Sequence, residues 1–321
     1  MASSESALMH VLEHLSQTEN YEPDLLVLLQ CTSPLTAPED IEGTIRALIH
    51  EDADSALAVA PFYDFLWKYD NARNAIGINH DKKQRQRRQD RDPQFIETGA
   101  VYVMRTKGFQ AAKHRFFGKT AMYVMPSERC FEIDEPDDLS IAKALVLRQQ
   151  KKRKLEALPN RVAAMVLDFD GVFTDNQVLV FEDGREAVVC DRGDGWGLAE
   201  LRKRGLPILV LSSEENPVVQ ARCDKLGLLC KQGVGDKLTA LEDWLQKIRI
   251  DPAQVVYLGN DVNDIGCLKA VGCGVVVANS HQEAQTVAGF ALSNEGGRGA
   301  IRELTDLIVE KMKGQVNGKS C

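Results

Sequence analysis

The sequence predicts an α/β protein built from two successive domains, and three observations lead there. Short apolar runs of strand length alternate with helical apolar stripes through both halves, the pattern of sheets fed by helical crossovers. Glycine use changes abruptly, from five in residues 1–160 to nineteen in residues 161–321, so the two halves place different demands on the backbone. The length of 321 residues suits two domains of roughly 150 residues each. The expected domains are 1–150 and 161–315, separated by the charged stretch 149–154 and the stop Leu158-Pro159-Asn160.

In the first half, Leu25–Leu29 is a continuous apolar run, expected as a strand buried on both faces. Pro38 opens a helix whose Ile41, Ile45 and Leu48 form one stripe. Residues 55–60, 100–104 and 121–125 read as further strands. Asp137 and Asp138 start a helix running to about Arg148, with the acids at its positive end. In the second half, 162–167 reads as a strand and 177–189 as a hairpin turning at 182–184. Then come a helix over 196–204 stopped by Gly205, a strand over 207–211 and a helix over 216–226. Lys237–Ile248 is a helix, 255–258 a strand, 261–270 a helix and 274–277 a strand, with closing helices over 283–288 and 299–312. Such alternation makes a parallel sheet covered on both faces, whose chemistry lies past the carboxyl ends of its strands.

Composition narrows the function classes. A net charge of −8 argues against a chain built to coat nucleic acid. No apolar run approaches the ~20 residues of a membrane helix, and the N-terminus has no secretory pattern. Eight dispersed cysteines without a C-x-x-C pair read as reduced thiols of an intracellular, cytoplasmic protein. The basic run 82–91 reads as an anion-binding or solvated loop in preference to a nuclear-entry signal or nucleic-acid patch; nuclear placement is the alternative location. His10 and His14 lack a third ligand and read as an exposed helix face, and Trp67 and Tyr69 are expected to pack against their domain.

The chemistry-bearing residues of the second half fall in four strand-end or helix-start loops. Asp168-Phe169-Asp170-Gly171 follows the first strand, Ser212-Ser213 the next, Gly235-Asp236-Lys237 precedes a helix, and Gly259-Asn260-Asp261-Val262-Asn263-Asp264 follows a later strand. Phosphoryl transfer needs such a set: a carboxylate nucleophile, a second carboxylate to move protons, hard oxygens for Mg²⁺, and donors for the phosphate. These residues resemble the four motifs of the haloacid dehalogenase superfamily, which implies a Rossmann-like domain without a large cap. The resemblance implies Asp168 as nucleophile, Asp170 as general acid and base, Ser212 and Lys237 on the phosphate, and Asp168, Asp170 and Asp264, with Asn260 or Asp261, around Mg²⁺. Asn260 stands where the family commonly has Asp, so Asp261 is expected to take over. The hairpin after the first motif, and the tail Gly296-Gly297-Arg298-Gly299-Ala300-Ile301-Arg302-Glu303, resemble the Kdo-8-phosphate phosphatase branch, whose tetramers complete each other's sites.

The first half carries a second resemblance. Gln30-Cys31-Thr32-Ser33-Pro34, the loop 85–90, Glu97-Thr98-Gly99-Ala100-Val101-Tyr102, Phe116-Phe117 and Glu132-Ile133-Asp134 occur in the order of an acylneuraminate cytidylyltransferase, a family with members fused to a phosphatase-like domain. That family joins CTP to N-acylneuraminate, giving CMP-N-acylneuraminate and diphosphate. The resemblance implies Gln30 and Thr32 on the sugar acid and Arg87 or Arg88 on its carboxylate or the triphosphate. Thr98 stands where some members have Asn. Tyr102, Phe116 and Phe117 would shape the pocket, and Glu132 and Asp134 would hold Mg²⁺, with Glu132 where Asp is usual. The family opens with a strand and a basic, Gly-rich loop around the CTP phosphates, and residues 1–150 contain no such loop, so the chain reads as a truncated nucleotide-diphospho-sugar-transferase-like domain. That domain is expected to expose the Leu25–Leu29 edge, to be poorly stable alone and not to bind CTP. The expected identity is a member of that transferase family whose catalytic CTP loop is lost in this form. The alternatives are a phosphatase on acylneuraminate 9-phosphate or Kdo 8-phosphate, through an aspartyl phosphate, or a non-catalytic module that assembles a homotetramer.

Overall fold

The computed structural model describes residues 3–84 and 86–317; Arg85 of the basic loop, Cys321, Met1 and Ala2 lie outside these residues. The chain divides into two units with the boundary after Arg148.

In unit 1, the Ser3 hydroxyl accepts the Ser6 N–H and caps α1 (Ser4–Glu19), which buries Leu12 and leaves His10 and His14 exposed as expected. The elements that follow are β1 (Leu25–Leu29), α2 (Pro38–His50), β2 (Ser55–Phe62), β3 (Trp67–Tyr69), β4 (Ala75–Gly77), β5 (Gln94–Arg105), α3 (Thr106–Ala112), β6 (Thr120–Val124) and α4 (Asp138–Ala157). The main sheet has the order β1-β5-β2-β6, with β1 and β2 antiparallel to β5 and β2 parallel to β6. Ile41, Ile45 and Leu48 of α2 cover one face, over Ala56, Ala58, Val101 and Val103. Leu12, Phe109, Phe116 and Phe117 cover the other, over Leu57, Val59, Tyr102 and Met104.

Three expectations for this unit are corrected. β1 is an edge strand paired with β5, its residues are half-buried and Leu29 is 49% exposed, so it is not buried on both faces. Trp67 and Tyr69 do not pack into the unit: they are 52% and 70% exposed on a separate β3–β4 ribbon, where three-residue strands pair with each other alone. The helix expected to stop near Arg148 runs on as α4 to Ala157. The charged run 149–154 read as a linker consists of Gln, Lys and Arg, all good helix formers. Its last turns are held within unit 2, by Lys151 to Glu310 at 2.6 Å and Lys154 to Glu303 at 2.8 Å.

Unit 2 contains β7 (Ala164–Leu167), β8 (Leu179–Val180), β9 (Glu186–Ala187), α5 (Arg192–Lys203), β10 (Ile208–Leu211), α6 (Pro217–Leu226), β11 (Leu229–Lys231), α7 (Lys237–Ile248), β12 (Val255–Gly259), α8 (Ile265–Ala270), β13 (Cys273–Val276), α9 (Gln282–Val287), β14 (Phe290–Ala291) and α10 (Ala300–Asn317). Six parallel strands stand in the order β11-β10-β7-β12-β13-β14. Side chains alternate across the sheet. Met165, Leu167, Val210 and Leu258 face α5, α6 and α10; Ala164, Val166, Leu209 and Tyr257 face α7, α8 and α9. The chain leaves β7 in one direction to β10 and β11, then returns beside β7 to β12. The crevice at that reversal, past the carboxyl ends of β7 and β12, is where ligands bind in such sheets.

Asp194, in the first turn of α5, is 1% exposed and accepts the Arg302 N–H at 2.8 Å, satisfying an orphan donor at the start of α10, while its second oxygen has no partner. Burial, and then the Asp191 charge, push its pKa up from 3.8 to about 6. The folded state holds this proton to higher pH than the unfolded chain does, so the group's stabilising contribution is complete below pH 3.8 and is lost as pH rises through about 6. Asp194→Asn keeps an acceptor for Arg302 and carries no charge. Urea unfolding is expected to show the variant more stable than wild type at pH 7, with the gap closing by about pH 4. A gap independent of pH would contradict this.

Candidate active site

Asp168 is the first residue past β7, and its N–H donates to the Leu258 carbonyl at 2.9 Å, so the sheet itself sets its position. Phe169 and Phe173, fully buried and stacked at 5.2 Å between centroids, anchor the following loop. The Thr174 hydroxyl accepts the Gly171 and Asn176 N–H groups and closes the turn that holds Asp170 half-buried at the cleft. Gly171 has φ +76°, and a Cβ there would overlap the Asn260 amide.

Lys237, the first residue of α7, is 4% exposed and lies between two carboxylates, 2.8 Å from Asp168 Oδ1 and 2.9 Å from Asp264 Oδ1. Burial works against its charge, but Asp168 and Asp264 together hold its pKa above the usual lysine value. Burial, and then the Asp264 charge, raise Asp168 to about 7 against the opposing pull of Lys237. Asp170 is also raised, by burial first and then by Glu214 and Glu186. Ser212, 1% exposed at the end of β10, accepts the Glu214 N–H at 3.0 Å. These residues border an open cleft of about 420 Å³ lined by Asp168, Asp170, Ser212, Glu214, Asn260 and Asp261 among others.

The structure lines one cleft with Asp168, Asp170 and Ser212, sets Lys237 against Asp168, and meets the carboxylate of Asp264, expected as a metal ligand, with protein donors. That carboxylate is filled by Lys237, by the Tyr257 hydroxyl at 2.7 Å, and by the Asn260 and Asp261 N–H groups at 2.9 and 3.3 Å. Asp261 Oδ1 accepts its neighbour's N–H at 2.7 Å. Among the described residues, no three Asp, Glu, His or Cys side chains converge as a metal cage. The oxygens that do converge are Asp168 Oδ2 and the Asp170 carbonyl, with the Asn260 amide 3.1 and 2.9 Å from them. That hard-oxygen set suits Mg²⁺. Tyr257 was missed because a tyrosine in an apolar strand reads as core.

In unit 1, the Ile133 N–H donates to the Thr32 carbonyl at 2.9 Å and lays Glu132 beside Gln30. Both side chains close over Gly99. Burial, and then Asp134 and Glu97, raise the Glu132 pKa. The Tyr102 hydroxyl donates to Glu97, with Arg115 over its ring at 4.7 Å and Phe116 edge-on at 6.0 Å. Phe117 packs beneath, and the Thr98 hydroxyl donates to the Ala58 carbonyl at 2.9 Å. Arg87 is exposed, and Arg88 stacks on Tyr63 at 3.4 Å instead of joining this group. Glu97 and Arg115 were not singled out from sequence. Arg115 is held by Glu5 at 2.8 Å, a pairing across 110 residues that no local pattern signals.

Fold and cleft define unit 2 as a haloacid dehalogenase-like hydrolase domain, and a family model of that description matches residues 230–302. The chain is 32% identical to the 3-deoxy-D-manno-octulosonate 8-phosphate phosphatase KdsC of Salmonella typhi, over 46% of this chain and 79% of that protein. A haloacid dehalogenase superfamily (subfamily III A) hydrolase from Legionella pneumophila superposes with a TM-score of 0.50 at 28% identity, over 53% of this chain and 93% of that one. Similarity to the N-acylneuraminate cytidylyltransferase of Oncorhynchus mykiss, 26% identical, covers 92% of this chain and 70% of that protein. The second half of the chain belongs to the KdsC-type haloacid dehalogenase phosphatases, and the chain as a whole is similar to the N-acylneuraminate cytidylyltransferases. Haloacid dehalogenase phosphatases are metal-dependent.

Proposed function

We propose that the chain serves N-acylneuraminate activation, the family reaction being CTP plus N-acylneuraminate to CMP-N-acylneuraminate and diphosphate. Unit 1 supplies the sugar-acid pocket around Gln30, Thr32, Tyr102, Glu132 and Asp134, with the last two as its Mg²⁺ ligands. The similarity running through 92% of the chain supports this reading. Calorimetric titration of the full chain with N-acylneuraminate and Mg²⁺ tests the pocket; binding lost in Glu132→Gln is expected, and no binding to the wild-type chain would remove the reading.

For unit 2 the function the geometry supports best is hydrolysis of a sugar-acid phosphate, acylneuraminate 9-phosphate or Kdo 8-phosphate. The carrying observation is Lys237 between Asp168 and Asp264 at the switch point of the sheet. Asp168 attacks phosphorus, the ester P–O bond breaks, and Asp170 gives its proton to the leaving alkoxide. Asp170 then takes a proton from water as that water attacks the aspartyl phosphate, releasing phosphate and restoring Asp168. Ser212 and Lys237 hold the phosphoryl oxygens. Asp168, the Asp170 carbonyl and Asn260 would hold Mg²⁺, which when bound offsets the phosphoryl charge. Burial and the neighbouring Glu214 and Glu186 raise the Asp170 pKa, which suits a proton donor. Asp170→Asn is expected to slow turnover at least about 10²-fold by removing the proton transfer of both steps; a variant with full turnover would contradict the assignment.

Homotetramer assembly is a second reading for unit 2. Val178, Leu179, Val180 and Phe181 on the β8–β9 hairpin are 49–67% exposed, and Trp196 is 69% exposed, an apolar surface suited to burial against other copies. Light scattering that gives a monomer at micromolar concentration would remove this reading.

A further inference from the structure

Asn260 stands where two oxygen acceptors converge. Its amide lies 2.9 Å from the Asp170 carbonyl and 3.1 Å from Asp168 Oδ2, and the residue is 8% exposed. Both neighbours are acceptors, so without a cation the favoured orientation turns Nδ2 inward to donate to both. Turned over about its last side-chain bond, the amide presents Oδ1 at the same place. Adjacent oxygens around an octahedral Mg²⁺ with bonds of ~2.1 Å stand about 3.0 Å apart, close to the spacing found. The position therefore serves an N–H donor or an oxygen ligand, but not both at once.

The surroundings leave the amide little freedom except to turn over. The Asn260 N–H donates to Asp264 Oδ2 at 2.9 Å, its carbonyl accepts the His281 N–H at 2.7 Å, and Gly171 closes the side opposite the cleft. Asp264 already accepts from four donors, Lys237 and Tyr257 on Oδ1 and the Asn260 and Asp261 N–H groups on Oδ2.

We propose that Asn260 is a metal-exchanged latch, its amide bridging Asp168 and Asp170 when no metal is bound and turning over to become an oxygen ligand when Mg²⁺ enters. The proposal rests on the metal-dependent phosphatase reading and adds how the site is held without its ion. Entry of Mg²⁺ breaks two hydrogen bonds and gains a neutral ligand where a carboxylate would supply charge. The site is therefore weaker than one with aspartate at this position, and metal-free protein keeps its two acceptors satisfied.

Calorimetric titration of the full chain with Mg²⁺, and electron paramagnetic resonance with Mn²⁺, test this in wild type, Asn260→Asp and Asp168→Asn. One site is expected in wild type, absent in Asp168→Asn and roughly tenfold or more tighter in Asn260→Asp. With ¹⁵N-asparagine labelling, the Asn260 side-chain resonances, identified by their absence from Asn260→Asp, are expected to shift at Mg²⁺ saturation and to stay fixed in Asp168→Asn. Equal affinity in wild type and Asn260→Asp, with binding still lost in Asp168→Asn, overturns the latch and leaves the phosphatase reading standing. No metal binding in wild type overturns the latch and the metal dependence together. If Asn260→Asp fails to fold without metal, assignment through Asn260→Ser serves instead, and resonances unmoved at saturation overturn the proposal.

Discussion

Replacing Lys237 with methionine is expected to destabilise unit 2 by about 3–5 kcal/mol at pH 8, because it leaves two buried carboxylates without their shared cation. In wild type the Lys237 side chain is 2% exposed, and those of Asp168 and Asp264 are 6% and 0% exposed. At ~2–4 °C per kcal/mol for a unit of this size, the melting temperature should fall by roughly 10 °C. The effect should shrink as pH falls. Burial and the Asp264 charge push Asp168 up to about 7 with the ammonium in place, and without the ammonium its proton is held to still higher pH, so the extra cost in the variant builds as pH rises above about 7. Thermal melts at pH 5.5 and 8 decide the matter; a small loss, equal at both values, would mean that the ion triad does not hold these loops together. Phosphate release should vanish in the same variant at any pH.

Gly171→Ala is expected to have the next largest effect. A left-handed backbone costs a residue with a Cβ about 1–2 kcal/mol, and the overlap with the Asn260 amide adds about 1–3 kcal/mol of overpacking. The variant should unfold at lower urea concentration and should also lose metal affinity, because the displaced amide can no longer reach Asp168 and the Asp170 carbonyl together. Stability lost with metal affinity intact would show that the amide adapts without leaving the site, contrary to the geometry described.

The site was legible in sequence wherever function sits next to a strand end on the chain. Asp168, Ser212 and Asn260 each follow a short apolar run, and a parallel sheet delivers such positions to one edge whatever the loops do. Roles decided by partners distant in sequence were not legible. Asp264 has the right type and spacing for a metal ligand, yet Lys237, 27 residues before it, and Tyr257 fill its carboxylate. Whether Asn260 or Asp261 faces the cleft's oxygens depends on the turn after β12, where Asp261 serves as a helix cap. Composition misled at α4, whose charged turns look like a linker until Glu303 and Glu310 of α10 are seen to meet Lys154 and Lys151. The ribbon β3–β4 was missed because three-residue strands carry too few residues for a period-two pattern.

Asp168 is proposed as the nucleophile of a metal-dependent phosphatase unit. The most direct test is phosphate release from acylneuraminate 9-phosphate and Kdo 8-phosphate by the full chain with Mg²⁺, comparing wild type with Asp168→Asn. The amide can still accept from Lys237 and Phe169, so the variant should stay folded. Turnover is expected in wild type, with a loss of at least about 10³-fold in the variant. Turnover that survives in Asp168→Asn, or its absence from a folded wild-type protein saturated with Mg²⁺, would contradict it.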